Sequence, residues 1–388
     1  MLSRPRTLGE YRRIATGKRL PGYVRASRRR IGGKDPADLG IDELWTLHDF
    51  PTPPSRGSAT SILDCKIEIA ERLLSHCTLC ERRCGADRTS GEKGFCGVGA
   101  RSSYFYEDIL WGEEKPLVPS HEVFFSGCNM RCSYCYSYEG VLDTDHGRPF
   151  YPSEFAGIVD ARRREVSGNL NLIGGEPTVH LPSILRTLRN VTTRLPVVWN
   201  SNFLMSEETM KLLDGIADLY VGDFRFGCDR CALTLADTPD YFAVAERNFK
   251  TAAANGYVIV RHLLLPGHAE CCLLPIARWV SENLPGIPFH LMFQYTPCHR
   301  ALDDKTLART LHPDEEARAL EIVKEFGLNT TRWNRPLPNE PEYIPESGHE
   351  VEATITIGPD GRVCIMKLHG ELLGLAESLA NGGNTIGG

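Results

Sequence analysis

The chain has 388 residues, 41% apolar and 24% charged, which are values of a globular protein with ample length to bury a core. Its formal net charge of -6 argues against a protein that is mainly a nucleic-acid binder. No apolar run reaches the roughly 18 residues of a membrane span, so no membrane partner is expected.

Residues 1–60 read as a basic, partly disordered extension. Arg4, Arg6, Arg12, Arg13, Lys18, Arg19, Arg25 and Arg28–Arg30 sit among few acids. A solvated arm is the plain reading, and docking to an acidic partner is the other. Pro51, Pro53 and Pro54, with Ser55, Gly57 and Ser58, mark a linker-like break. The start lacks the apolar core of a secretory signal. Fourteen cysteines at metal-ligand spacings, rather than in a secreted framework, point to a reducing, cytoplasmic setting.

Residues 61–115 form a helix and a cysteine module. Ile62, Leu63, Ile67, Ala70, Leu73 and Leu74 recur at helical spacing. Cys77, Cys80, Cys84 and Cys96 then fall within twenty residues, with glycine-rich turns around the last. Four thiolates complete a closed site, structural zinc or an electron-carrying iron–sulfur cluster.

Residues 116–335 alternate strands and helices. The strands are Glu122–Ser126, Asn169–Ile173, Pro196–Asn200, Leu219–Phe224, Tyr257–Leu265 and Phe289–Tyr295. The helices are Ser153–Val166, Leu181–Val191, Ser206–Ile216, Pro239–Asn255 and Leu273–Asn283. Alternation implies parallel strands with right-handed crossovers, hence an α/β fold with a partial (β/α)6 TIM-like barrel. Chemistry is expected where the strand C-termini meet the loops.

After the first of these strands come Cys128, Cys132 and Cys135, spaced C-x3-C-x2-C. Soft thiolates favour iron–sulfur or zinc, and three leave a coordination position open. The second strand ends in Gly174-Gly175-Glu176-Pro177. Its glycines admit a closely approaching ligand, and Glu176 can accept from an ammonium group. The third ends near Asn200 and Asn202, suited to hydroxyls or a carboxylate, or to turn capping. Asp223 and Arg225 share a face at the end of the fourth. Arg261 lies inside the apolar fifth strand, where a guanidinium must be paired, and a ligand carboxylate would suit it. Gln294 ends the sixth and is placed to reach the cavity. Cys228 and Cys231, Cys271 and Cys272, and Cys298 cluster after the last three strands. They read as a further ligand set, a redox pair, or tightly packed small apolar side chains.

Residues 336–388 form a C-terminal extension. A proline-rich linker leads to a β-hairpin, Ala353–Ile357 with Arg362–Met366, and a flexible Gly-rich tail. The hairpin is expected to cover the barrel's open side or to add a strand to a macromolecular substrate.

From about His76 to Asn334 the chain resembles the radical SAM proteins named for pyruvate formate-lyase activating enzyme. The resemblance rests on CTLCERRCGADRTSGEKGFC, FFSGCNMRCSYC, NLIGGEPTVHLP, PVVWNSN, YVGDFRFG, VRHLLLPG and FQYTP. It implies a [4Fe-4S] cluster held by Cys128, Cys132 and Cys135, with S-adenosyl-L-methionine on the open iron. It also implies that Glu176 and the glycines lie near the methionine amine, and Tyr134 near the adenine. A low-potential donor such as flavodoxin or ferredoxin would supply an electron, and a 5′-deoxyadenosyl radical would abstract hydrogen. The substrate would be a protein glycine, a peptide or a small molecule. The four-cysteine module and both extensions depart from the compact activases. An iron–sulfur redox protein without turnover is the non-enzymatic alternative.

Overall fold

The computed structural model describes residues 7–54, 59–145 and 147–330, and the backbone of 354–357 and 363–367. The proline-rich linker and the Gly-rich tail lie outside the described residues.

Three helices come first, α1 (Leu8–Ala15), α2 (Gly22–Arg28) and α3 (Ile41–Asp49). This corrects the expectation of a disordered arm. The arginines alternate with Tyr11, Ile14, Tyr23, Ala26 and Leu44, all buried, so each helix has one face to pack. Next is α4 (Ile62–Arg72), whose start is fixed by a capping box in which Ser61 and Asp64 bond reciprocally.

The main sheet begins with β1 (Ser103–Leu110) and β2 (Ser120–Phe125), followed by α5 (Tyr138–Leu142) and the short β3 (Arg148–Pro149). Then α6 (Pro152–Glu165), β4 (Asn169–Gly174), α7 (Leu181–Asn190), β5 (Val197–Ser201), α8 (Glu207–Leu213) and β6 (Leu219–Asp223) alternate. Next come α9 (Asp229–Ala236), α10 (Tyr241–Asn255), β7 (Tyr257–Leu263), α11 (Leu274–Asn283), β8 (Pro288–Met292), α12 (Pro313–Glu325) and β9 (Asn329–Thr330). A separate two-stranded sheet pairs β10 (Thr354–Ile357) with β11 (Val363–Lys367) antiparallel, at the expected hairpin.

The nine strands run in the order β3-β1-β2-β4-β5-β6-β7-β8-β9. From β2 to β9 all neighbours are parallel, and β1 adds antiparallel to β2. The six expected strands all form, in one open TIM-like partial barrel. β1, α9 and α12 are additions that the sequence reading did not mark.

Register sorts the side chains by face. Trp199, Tyr220 and Val258 align on the outer face and join the large core under the helices. Val198, Leu219, Val221 and Ile259 form a second cluster on the inner face with Tyr11 and Leu117. Tyr11 closes the end of the barrel where the parallel strands begin. Its hydroxyl accepts from Asn169 Nδ2 at 3.0 Å, and Gly22 N donates to Asp218 Oδ1 at 2.9 Å.

Above this apolar plug lies a polar layer. Glu122 and Asn171 pair across β2 and β4, and Asp223, Arg261 and His290 align across β6, β7 and β8. The loop between β1 and β2 contributes Glu113 and Glu114. The barrel is thus sealed by hydrocarbon at one end and lined by charge toward the other.

Candidate functional site

The loop after β2 turns at Gly127, where φ is +87°. A Cβ there would lie 2.4 Å from Val98 and 2.9 Å from Cys96 O, so only glycine fits against the cysteine module. Cys128, Cys132 and Cys135 follow, and all three border a cavity of about 470 Å³. Gly174, Asn202 and Arg225 are among the other residues lining it. A side chain at Gly174 would strike Phe125 N at 2.1 Å, and one at Gly175 would strike Gly127 O at 2.0 Å. The two glycines therefore let the loops after β2 and β4 meet, and they form one wall of the cavity.

The donor set fits an iron–sulfur cluster. Burial pushes all three thiols up, Cys135 to about 11. Thiolates in such surroundings need a bound cation to stay deprotonated, and soft sulfur selects iron or zinc over hard metals. Arg225 adds positive charge, with Nη1 4.0 Å from Cys132 Sγ and Nη2 2.6 Å from Asp223 Oδ2. Its buried Nε has no hydrogen-bond partner among the described residues.

Two asparagines support the loop. Asn202 Nδ2 donates to Asn129 Oδ1 at 2.7 Å and lies 3.7 Å from Cys128 Sγ, while its Oδ1 accepts from Leu204 N at 3.0 Å. Asn129 is fully buried and donates to Leu204 O. It was absent from the sequence reading, although it lies between the first two motif residues.

Glu176 is 1% exposed and is held by this chain. Its Oε1 accepts from Thr178 N, Thr178 Oγ1 and Ser201 Oγ, and its Oε2 from Asn202 N at 2.9 Å. It ties the loop after β4 to the end of β5. Burial nevertheless raises its pKa. Oε2, with one protein donor, keeps capacity for a second.

Arg261 lies in the polar layer beneath. Its Nε donates to Asp223 Oδ1 at 2.8 Å, its Nη1 to Glu113 Oε2 at 3.1 Å and its Nη2 to Asn200 Oδ1 at 2.6 Å. Those three partners take the fork that the sequence reading offered to a ligand carboxylate. Arg225 instead lines the cavity, together with Arg131 and Arg300. Around Arg261, burial and the neighbouring Glu114 push Glu113 up, and burial carries Glu122 to about 8. Asn200 Nδ2, both Asn171 amide atoms and Glu122 Oε1 are buried without partners among the described residues.

Tyr134 is buried edge-on against Phe226 and Tyr295, with centroids 6.3 and 6.4 Å away. Gln294 is exposed and does not border the cavity.

The four-cysteine module packs against the same loop. Cys77, Cys80 and Cys96 are buried and Cys84 is exposed. Burial raises Cys96, and Cys77 and Cys84 are near enough to add to that rise. A Cβ at Gly94 would lie 3.0 Å from Cys84 Sγ and 3.5 Å from Cys96 Sγ. Arg82 donates to Asn129 O at 2.8 Å, and Arg131 donates to Phe95 O. The Phe95 ring lies between both guanidiniums, 3.8 Å from Arg82 and 4.3 Å from Arg131. The module thus braces the Cys128 loop from outside.

Among the described residues no helix is long and apolar enough to cross a membrane. Residues 123–280 match the Radical SAM superfamily. An uncharacterized protein of Methanocaldococcus jannaschii, MJ0674, is 36% identical over 308 residues, 75% of this chain and 90% of that protein. Among solved structures, Streptococcus suis SuiB bound to its precursor peptide SuiA overlaps 52% of this chain and 46% of its own, at 12% identity and TM-score 0.40. A domain of pyruvate-formate lyase-activating enzyme from Bacteroides vulgatus overlaps 42% of this chain and 97% of its own, at 20% identity and TM-score 0.35. The superfamily match begins on β2 and runs through the cysteine loop to α11, the stretch that builds the cavity, and with it the chain belongs to the radical SAM superfamily, whose members use a [4Fe-4S] cluster and S-adenosyl-L-methionine.

Proposed function

We propose that this protein initiates radical chemistry on a small polar substrate taken into the barrel. The observation that carries the reading is the inner layer beneath the cysteine cavity, where Asn171, Asn200 and Glu122 bury polar atoms without partners among the described residues. Each such atom costs about 1–3 kcal/mol if left unpaired, so a polar guest or ordered water is the natural complement. A cluster held by Cys128, Cys132 and Cys135, with S-adenosyl-L-methionine bound, would supply a 5′-deoxyadenosyl radical and methionine on accepting one electron from a donor such as flavodoxin or ferredoxin.

This chain's residues do the rest. Cys128, Cys132 and Cys135 hold the iron, and Gly174 and Gly175 leave room beside it. Glu176 Oε2 offers an acceptor to an ammonium group, and Arg225 Nε offers a donor to a carboxylate. Tyr134 supplies an apolar wall. Asp223 fixes Arg225 and Arg261 together, so the cavity wall and the inner layer share one ion-pair network. Both Asp223 carboxylate oxygens are taken by the two guanidiniums, and burial raises Glu122 to about 8, toward the neutral form that can donate a hydrogen bond.

Activation of a glycyl-radical enzyme is the second reading, and the activating-enzyme motifs favour it. Reduced, iron-loaded protein is incubated with S-adenosyl-L-methionine and dithionite, and 5′-deoxyadenosine is quantified by chromatography. Its formation supports the enzyme reading, and none from a fully loaded cluster defeats it. Adding proteins encoded nearby and seeking a glycyl doublet by electron paramagnetic resonance separates the two substrates. A doublet would displace the small-molecule reading.

A further inference from the structure

Beside the cavity is a second set of soft ligands on the loops after β6 and β7. Cys231, His268 and Cys271 bring their ligand atoms within 4.8 Å of one another. The Cys231 and Cys271 sulfurs are 3.6 Å apart. A zinc ion bonds thiolate at about 2.3 Å, which places two sulfurs of a tetrahedral site ~3.8 Å apart. A polynuclear cluster spreads its ligand sulfurs wider, across its own iron and sulfide atoms. The observed spacing is that of a single ion.

The chain supplies the donors as two matching pairs. Cys228 caps α9 and Cys231 lies in its first turn, three residues on. His268 caps the short π-helical turn Ala269–Leu273 and Cys271 lies three residues on. Residues three apart share a helix face, whereas adjacent ones do not. Cys228 with Cys231, and His268 with Cys271, therefore each form a natural chelate. Cys272, next to Cys271, is 1% exposed; its sulfur lies 4.0 Å from that of Cys271 but does not join the group that includes His268.

Two further details fit metal binding. His268 Nδ1 lies 2.7 Å from Pro266 O, so the neutral ring donates there and keeps the lone pair on Nε2. Gly227 lets the loops touch, since a Cβ there would meet Cys272 O at 2.3 Å.

We propose that Cys228, Cys231, His268 and Cys271 hold one thiolate-preferring divalent cation, zinc in the first instance, as a clip between the loops after β6 and β7. The ion fills its four positions with protein ligands and is structural. It fixes the loop that begins with Arg225, three residues before Cys228, and so the cation beside Cys132. Binding releases the protons of the three thiols to solvent, with no change of oxidation state.

The site is independent of the substrate and of turnover, and metal content reports on it directly. Full-length protein is purified anaerobically, and zinc and iron are measured by mass spectrometry. The wild type is expected to hold one more zinc ion per chain than the variant C231S/C271S, with equal iron. A variant lacking Cys77, Cys80, Cys84 and Cys96 is expected to keep that ion, as is C272S. His268→Asn changes a single ring and serves if the double variant fails to fold. It is expected to weaken cobalt binding at least about tenfold, read from the thiolate-to-cobalt charge-transfer band. Equal zinc in wild type and C231S/C271S overturns the proposal. So does loss of the ion in C272S, or a Cys231–Cys271 disulfide in the anaerobic protein.

Discussion

Two C-x2-C pairs, Cys132/Cys135 and Cys228/Cys231, have the same spacing and different settings. The first, with Cys128, borders a cavity of about 470 Å³ and has the Arg225 guanidinium 4.0 Å from Cys132 Sγ. The second meets a matching His-x2-Cys pair, with sulfurs 3.6 Å apart across two loops. Spacing along the chain sets how two ligands chelate. The opposing loop decides whether they enclose one ion or leave space for a cluster and a guest. The first site is built open and the second closed.

The largest expected effect breaks the comparison at its open side. Cys132→Ala should leave 5′-deoxyadenosine below detection and cut bound iron, while the zinc of the clip persists. Loss of both metals together would mean that the two sites are one unit.

Next are the two arginines of the shared network. Arg261→Ala leaves Asp223 and Glu113 without their buried partner, a change that costs about 3–5 kcal/mol. A fall in Tm of roughly 10 °C by circular dichroism is expected. Arg225 is partly exposed, so Arg225→Ala should move Tm little while slowing 5′-deoxyadenosine formation about a hundredfold. The reverse pattern would exchange their roles.

The smallest effect is at the contact between loops. Gly227→Ala forces a Cβ against the backbone of Cys272. A loss of about 1–3 kcal/mol is expected, with zinc content reduced and iron unchanged. Unchanged zinc would show that the clip tolerates a wider gap.

The six parallel strands were legible because each is a short β-rich run between turn signals, and the structure keeps their ends to within about two residues at most positions. The inner-face position of Arg261 was legible too, from its place in an apolar strand. Its partners were not. Glu113 is 148 residues away and belongs to a loop without a local pattern. The N-terminal helices were obscured by arginines whose apolar neighbours find their core only after the sheet exists. That these cysteines gather beyond neighbouring strands was legible, but the 3.6 Å approach of Cys231 to Cys271 was not, since it depends on the β6–β7 register and on Gly227.

The stopper beneath the barrel has a consequence in time. Tyr11 bonds to Asn169, and Gly22 to Asp218, 196 residues further on. Those partners lie on or beside strands that must already be paired, and closing so long a loop is slow. Helices α1 and α2 leave the ribosome before those strands and must wait for them before their binding surface is complete. Elements made before the sheet are thus among the last to dock on it.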